Sequence, residues 1–210
     1  MFNRPRLAAL RLSFLCAVFS APYAWAEVVT LSMDTAFGVV SIEVYPAKAP
    51  VTATNFLSYV DAGKYDSASF YRVVRMDNQA QNKIKIEVIQ GGLGMEAVEG
   101  RFADIAHETT EATGLKHVDG TISMGRLAPG TASSEFFICV GDQPELDYGG
   151  RRYPDGQGFA AFGKVISGMD IVRKIHAGKT DRPPPGAELE YTSGQSLVEP
   201  VLIKSIKRAR

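Results

Sequence analysis

The stretch that most constrains the fold is residues 121–140, because no single regular element accommodates both its ends and its middle. Residues 121–124 and 135–140 are dense in β-branched and aromatic residues, which predicts two short strands. Between them, Pro129 and Gly130 predict a loop over residues 128–134. The period of two along the second strand separates its side chains into two faces: Glu135, Phe137 and Cys139 on one, Phe136, Ile138 and Val140 on the other.

These two faces differ in their chemistry. The second is wholly apolar, and we expect it to lie in the core. The first places the carboxylate of Glu135 beside the ring of Phe137, which suits a surface in contact with a ligand. Taken alone, these six residues favour a simpler interpretation, a sheet with one solvated face.

The first 26 residues contain the three parts of a secretory signal peptide in the usual order. Arg4, Arg6 and Arg11 supply positive charge without any acidic residue, residues 12–20 form an apolar run, and Ala24-Trp25-Ala26 matches a cleavage site. The run is shorter than the roughly 20 residues that span a bilayer. We therefore expect removal of residues 1–26, a mature chain without a membrane span, and a periplasmic location.

The mature part, residues 27–210, is expected to form a single domain, since no linker, low-complexity tract or repeat divides it. Removal of three arginines leaves 20 basic residues against 23 acidic ones, and this mildly acidic balance does not favour binding to nucleic acid. Cys139 then has no cysteine partner within the chain. We expect it to be a buried apolar residue without a role in function.

Strand and turn patterns alternate along the mature chain, and two segments have the period of an amphipathic helix. These helices are expected at residues 51–62 and 169–177, each followed by a glycine that ends it, Gly63 and Gly178. Many strands with two helices are typical of an antiparallel barrel whose ends are covered. The expected strands are residues 28–33, 39–45, 69–74, 84–90, 121–124, 135–140, 159–166 and 201–206.

Several short motifs occur in the order and approximate spacing found in cyclophilins. They are residues 69–72 (Ser-Phe-Tyr-Arg), 89–92 (Ile-Gln-Gly-Gly), 134–138 (Ser-Glu-Phe-Phe-Ile), 145–147 (Glu-Leu-Asp) and 162–165 (Phe-Gly-Lys-Val), with the helix at 49–63 and residues 168–170. From about residue 28 to residue 206 the chain therefore resembles the cyclophilin family. The resemblance implies a mainly β fold, an eight-stranded antiparallel barrel capped by two α-helices, with peptidyl-prolyl cis–trans isomerase activity. Exported bacterial members are the most similar.

The chemistry of this reaction explains why an arginine is expected at its centre. Rotation about an X–Pro bond is slow because the nitrogen lone pair is delocalised into the carbonyl group, with a barrier of roughly 18–20 kcal/mol. No bond is made or broken, so a catalyst needs only to bind the twisted amide better than the planar isomers. A guanidinium can donate a hydrogen bond to the pyramidal proline nitrogen. The resemblance places Arg72 at the position of the family's catalytic arginine.

The resemblance also implies the rest of the site. Phe137 and Leu146 match residues that line the proline pocket, Gln90 matches a glutamine that binds the substrate backbone, and Gly125 and Arg126 lie where main-chain groups would pair with an extended peptide. The chain departs from the family's usual residues at five positions: Glu87 and Val88 for phenylalanine and methionine, Glu135 for glutamine, Glu145 for an aromatic residue, and Phe159 for histidine or tyrosine.

Three of these departures are expected to contact substrate: Val88, Glu135 and Phe159. Val88 makes the apolar wall smaller than a methionine would, at a cost on the order of 1–2 kcal/mol of binding. Glu135 is expected either to orient Arg72 or to hold it back in an ion pair. The connection from Arg72 to Gln90 is longer than usual, and the sequence leaves open whether residues 75–83 cover the site.

Two alternatives to the isomerase interpretation remain at this point. One is a peptide-binding or holding protein with the cyclophilin fold and weak or no isomerase activity. The other is a hydrolase, because residues 121–125 resemble a nucleophile elbow; Thr121 replaces its first glycine, however, and we expect Ser123 to be structural.

The histidines His107, His117 and His176 are too scattered to indicate a metal site. We therefore expect neither a metal nor a cofactor. The expected partners are proline-containing segments of unfolded or folding proteins, and the protein is expected to be a monomer.

Overall fold

The strands of this computed structural model, which describes residues 28–94, 99–181 and 190–209, close into one antiparallel barrel. Their order around the barrel is β1-β2-β7-β5-β6-β4-β3-β8, which confirms the expected architecture. The predicted signal peptide lies outside the described residues. The strands are β1 (Val29–Thr35), β2 (Gly38–Val44), β3 (Ser69–Val74), β4 (Val88–Gly92), β5 (Thr121–Met124), β6 (Phe136–Cys139), β7 (Ala160–Ser167) and β8 (Ser196–Arg208).

In the described residues, two longer α-helices and one short α-helix accompany the barrel, α1 (Pro50–Asp61), α2 (Thr110–Thr113) and α3 (Met169–His176), with a 3₁₀ turn at Pro144–Leu146. Helix α1 begins with Pro50, and the carboxylate of Glu108 accepts hydrogen bonds from the main-chain N–H groups of Val51 and Thr52. The two predicted helices are confirmed, whereas the single turn of α2 was not predicted. Along the described parts of the chain, no helix is both long and apolar enough to span a membrane.

A large apolar cluster fills the barrel, and α1 contributes to it through Phe56. The ring of Phe56 lies 5.2 Å from Tyr65, 5.3 Å from Phe136 and 4.9 Å from Phe162, measured between ring centroids. Such tilted and edge-on contacts are the preferred geometries of aromatic pairs. This cluster fixes α1 against the barrel and buries the inner face of β6.

Strand β6 is buried on both of its faces, so a sheet with one solvated face is wrong here. Phe136 and Ile138 belong to the cluster inside the barrel. Phe137 and Cys139, on the opposite face, belong to a second and smaller apolar cluster. The face predicted to contact a ligand therefore forms the base of a separate apolar surface outside the barrel.

The two largest differences from the predicted strands are at β4 and β8. The strand expected at 84–90 begins only at Val88, because β3 ends at Val74, which pairs with Val88, and earlier residues have no partner strand there. Strand β8 begins at Ser196 and extends to Arg208, longer than the expected 201–206, because it pairs with both β1 and β3.

Candidate active site

A cleft of about 710 Å³ lies over the second apolar cluster. Its apolar floor consists of Val88, Phe137, Leu146 and Phe159, all of them buried. The rings of Phe137 and Phe159 meet edge to face, with centroids 5.4 Å apart. The structure brings eight of the nine predicted site residues together in this lining: Arg72, Val88, Gln90, Gly125, Arg126, Phe137, Leu146 and Phe159.

Arg72 reaches the wall of this cleft because β3 contains a bulge. Phe70 pairs with Gly91 and Arg72 with Gln90, so Tyr71 is the extra residue on β3. Phe70 consequently points into the barrel, while Val74 joins the cluster under the cleft. Strict alternation along β3 would put Phe70 on the same face as Arg72 and Val74, and the bulge moves it to the opposite face.

Two glutamine side chains hold the guanidinium of Arg72. Gln195 accepts hydrogen bonds from Nε and Nη2 at 2.9 Å and 2.6 Å, and Gln90 accepts one from Nη1 at 2.6 Å. These three bonds use three of the five N–H groups of the guanidinium, so each terminal nitrogen keeps one N–H for another acceptor. Burial lowers the pKa of Arg72, but a guanidinium remains charged near neutral pH.

Glu135 does not contact Arg72, so both expected forms of that interaction are wrong. Its carboxylate accepts hydrogen bonds from the hydroxyl group of Tyr71, from Ser134 Oγ at 3.0 Å and from the N–H of Gly94 at 3.1 Å. Tyr71 in turn accepts a hydrogen bond from the amide of Gln90 at 2.9 Å. Glu135 is therefore linked to Arg72 through the chain Tyr71–Gln90.

Glu135 lies beside the main cleft instead of in it. It lines an adjacent cavity of about 340 Å³, which shares Gln90 and residues 125–127 with the cleft. Burial and the negative charge of Glu135 together raise the pKa of Tyr71, so that hydroxyl group stays protonated and donates to the carboxylate.

Gly125 and Arg126 form the rim between the two cavities. Gly125 donates its N–H to the carbonyl of Glu135 at 2.7 Å, so this group is not available to an incoming peptide. The guanidinium of Arg126 binds both carboxylate oxygens of Asp155, at 2.7 Å and 3.0 Å, and lies 5.1 Å from the centroid of Phe159. Arg126 thereby fastens the loop that carries Asp155 to the rim.

Residues 75–83 border the cleft without covering Arg72. Asn82 lines the cleft, and the fully buried amide of Gln79 donates to the carbonyls of Arg75 and Ile86. The amide of Gln81 contacts the carbonyls of residues 190, 191 and 193 at 3.1–3.2 Å. This connection therefore forms one wall and supports the segment that leads into β8.

Among the residues of the site that were not predicted from the sequence, Arg152, Tyr191 and Gln195 bear most directly on its charges. Arg152 and Tyr191 line the cleft, and Gln195 binds Arg72. They come from two long connections, and no local pattern distinguishes them. The one feature of the sequence that pointed to additional residues around the site was the unusual length of the neighbouring connection between Arg72 and Gln90.

Beneath the cleft, Ser123, His117 and Asp147 form a hydrogen-bonded chain. Asp147 contacts Nδ1 of His117 at 2.8 Å, and Ser123 Oγ contacts Nε2 at 3.0 Å. A carboxylate only accepts hydrogen bonds, so Nδ1 carries the proton and Nε2 accepts from Ser123. Ser123 is fully buried, and the ring of His117 stacks on Phe137 with centroids 5.9 Å apart. The chain supports the floor of the cleft, and the full burial of Ser123 agrees with the structural role expected for it.

Acidification is expected to destabilise the protein through this buried histidine. Burial lowers the pKa of His117, although Asp147 acts in the opposite direction, so the folded state keeps the ring neutral. In the unfolded chain the ring gains its proton below about pH 6.5. Below that pH the unfolded state binds more protons, and the free energy of unfolding falls by roughly 1 kcal/mol per pH unit for this group.

Urea denaturation at about pH 7.5 and about pH 5.5 measures this effect. Burial also lowers the pKa of His107 and His176, so their contributions have the same sign. In a His117→Gln variant, the loss of stability between the two pH values should be smaller than in the wild type. An unchanged loss in that variant would exclude His117 as a source.

Comparison with known proteins places these features in a family context. Residues 28–207 match the family model described as cyclophilin type peptidyl-prolyl cis-trans isomerase/CLD. The chain is 31% identical to peptidyl-prolyl cis-trans isomerase A of Dickeya dadantii, over 96% of this chain and 95% of that protein. It is 35% identical to peptidyl-prolyl cis-trans isomerase B of Escherichia coli, over 82% of this chain and 98% of that protein.

A solved structure supports the fold independently. The cyclophilin type peptidyl-prolyl cis-trans isomerase of Cryptosporidium parvum, solved in the presence of the dipeptide Ala-Pro, superimposes with a TM-score of 0.61. The match covers 86% of this chain and 99% of that structure, at 22% sequence identity.

Proposed function

Because this chain belongs to the cyclophilin-type peptidyl-prolyl cis–trans isomerases and is an enzyme of that activity, we propose that its cleft is the isomerase site and that exported proteins are its substrates. The single observation that carries the first part is the position of Arg72. Its guanidinium is fixed by Gln90 and Gln195 at the edge of an apolar floor that is complementary to a proline ring.

In this proposal the apolar floor binds the proline ring. Val88, Phe137, Leu146 and Phe159 present an aromatic and aliphatic surface without competing hydrogen-bond donors. The Cryptosporidium parvum relative was solved in the presence of Ala-Pro, which supports a proline-containing peptide as the occupant. Burial of the ring fixes the imide close to Arg72 without requiring a metal or a cofactor for the reaction.

Arg72 is the catalytic residue in this proposal. As the X–Pro bond twists, the proline nitrogen becomes pyramidal and its lone pair becomes a hydrogen-bond acceptor. A remaining N–H of the guanidinium donates to that lone pair, an interaction that neither planar isomer can form. Gln90 and Gln195 hold the guanidinium in position beforehand, so little reorganisation is needed in the transition state.

The rim and the side cavity bind the peptide on either side of the proline. The carbonyl of Gly125 and the main chain of Arg126 are proposed to pair with an extended backbone, and Gln90 contacts the same backbone from β4. Glu135 is proposed to contact side chains that enter the adjacent cavity. The partners are thus proline-containing segments of unfolded or folding proteins, bound by a monomer.

A protease-coupled isomerisation assay on a succinyl-Ala-Ala-Pro-Phe peptide tests the site. The mature protein should accelerate cis-to-trans conversion well beyond the uncatalysed rate. A protein that binds the peptide, as measured by calorimetry, without accelerating its isomerisation would instead be a holding protein with this fold.

Export is the second part of the proposal and depends on residues 1–26, whose charged, apolar and small-residue segments follow the order of a signal peptide. Expression of the full chain in a Gram-negative host should place the protein in the periplasm, with Glu27 as its first residue by N-terminal sequencing. A chain lacking residues 2–26 should stay in the cytoplasm. An intact 210-residue protein in the cytoplasmic fraction would contradict this part.

A further inference from the structure

The cleft contains a second buried guanidinium, that of Arg152, which the isomerase reaction does not use. Its side chain is almost inaccessible, with the residue 5% exposed, yet it lines the cleft. Nη1 donates to Gln79 Oε1 at 2.8 Å and to the carbonyl of Ile84 at 2.5 Å. Nε and Nη2 are buried without a hydrogen bond of normal geometry. One edge of this cation is therefore built into the site, approached by the hydroxyl group of Tyr191 but without a carboxylate partner among the described residues.

This edge is the one that arginine uses to bind carboxylates side by side. Two other arginines of this chain use the same pair of atoms in this way. Nε and Nη2 of Arg151 bind the two oxygens of Glu145, at 3.3 Å and 2.6 Å. Nε and Nη2 of Arg208 bind the two oxygens of Asp61, at 2.8 Å and 2.9 Å. Arg152 presents the same edge without the carboxylate.

The charges that line the cleft do not compensate for this cation. Among the described lining residues, the cations are Arg72, Arg126 and Arg152, and the carboxylate is that of Asp155. Asp155 is already bound at both oxygens by Arg126. The cleft therefore has a net positive charge, and burying an uncompensated cation costs stability unless an anion joins it when the site is occupied.

Tyr191 lies between the two uncompensated cations. Its ring centroid is 5.0 Å from the guanidinium carbon of Arg152 and 5.8 Å from that of Arg72. These distances allow cation–π attraction, which stabilises both charges while the cleft is empty. Tyr191 is itself 43% exposed, so its ring can rotate toward solvent without leaving a cavity in the core.

We propose that Arg152, covered by Tyr191 in the empty cleft, binds the side-chain carboxylate of an acidic residue close to the proline, and so gives the enzyme a preference for acidic segments. The inference rests on the proposed isomerase site and adds a substrate class to it. The carboxylate takes the place of the ring against Nε and Nη2 of Arg152. The acidic residue precedes or follows the proline, and the peptides described below distinguish these two positions.

The test compares peptides that differ only in charge. A set of Ala-based Pro-Phe peptides carries Glu at one position, up to two residues before or after the proline, and a matched set carries Gln there. Isomerisation is measured by NMR exchange, which requires no protease. At one of these positions, wild-type enzyme at low salt should give a kcat/KM for Glu roughly tenfold that for Gln, as expected for a charge-assisted pair.

The variants identify the cation responsible. In Arg152→Met, the Glu-to-Gln ratio should fall to about one, and because it is a ratio within one enzyme, it does not depend on the fraction of folded protein. Lys207→Met, which removes an exposed charge at the opposite end of β8 from Ser196, should keep the wild-type ratio. In the wild type, raising salt to roughly 0.5 M should also reduce the ratio.

Each contrary result has a distinct meaning. Equal rates for Glu and Gln peptides at every position, with both accelerated, would overturn the acidic subsite and leave the isomerase site standing. A Glu preference that persists in Arg152→Met would assign it to another cation and would likewise overturn the inference. Failure of the wild type to accelerate any of the peptides would overturn the proposed isomerase site itself.

Discussion

Replacing Arg72 with alanine is expected to lower kcat/KM for X–Pro isomerisation by about 10²–10³-fold, the usual effect of removing one preorganised transition-state donor. The reason is that the variant keeps the apolar floor, and therefore the binding of the proline ring, but loses the N–H group aimed at the twisted nitrogen. The loss should fall mainly on kcat, since the interaction forms only in the transition state. Stopped-flow measurement of the protease-coupled isomerisation gives kcat and KM separately.

Two further variants make this prediction specific. Arg72→Lys keeps a positive charge but not the planar fork that Gln90 and Gln195 hold, and it should recover little of the activity. Arg173→Ala removes an exposed arginine on α3 that is paired with Asp119, and it should retain the wild-type kcat/KM. Wild-type activity in a folded Arg72→Ala protein would contradict the assignment of Arg72 as the catalytic residue.

Replacing Phe56 with alanine is expected to lower the free energy of unfolding by about 3–5 kcal/mol. The ring is fully buried and contacts Tyr65, Phe136 and Phe162, so its removal leaves a cavity at the place where α1 packs on the barrel. A loss of this size is a large part of the stability of an ordinary domain, and the variant should unfold at markedly lower urea concentration.

Val51→Ala provides the matched comparison on the same helix. Val51 is exposed, so truncation of its side chain should change the free energy of unfolding by no more than about 0.5 kcal/mol. Similar losses for Phe56→Ala and Val51→Ala would mean that the packing of α1 on the aromatic cluster contributes little to stability.

The sequence predicted the parts of this fold that depend on local periodicity. Residues 69–74 and 121–124 form strands with the predicted bounds, and both helices lie within one or two residues of the predicted positions. The predicted site residues other than Glu135 line one cleft because the strands that carry them are neighbours in the barrel.

The errors arose where pairing is irregular. The bulge at Tyr71 changes the side on which Phe70 lies, and nothing in the six residues of β3 reveals an extra residue without the partner strand. Glu135 was expected at Arg72 because both are charged and belong to the same site. In the folded chain Tyr71 lies between Glu135 and Gln90, and its hydroxyl group donates a hydrogen bond to the Glu135 carboxylate.

The additional site residues could not be predicted for a different reason. Gln195 is 123 residues from Arg72 along the chain, and Arg152 is 73 residues from Gln79. Such contacts depend on how three long connections meet over the cleft, and a single sequence contains no period that pairs them. The roles of Gln195 and Arg152 can be assigned only from the distances to their partners in the folded structure.

The pairing of the first strand with the last has a consequence for how this protein is made. β8 hydrogen-bonds to both β1 and β3, and Ala209 donates to the carbonyl of Thr30 at 2.9 Å. During synthesis from the N-terminus, or during export of the chain in that direction, β1 and β3 emerge long before β8, the strand that pairs with both. Until residues 196–208 arrive, β1 and β3 each have an unpaired edge, so the circle of strands closes only after almost the entire polypeptide has been delivered.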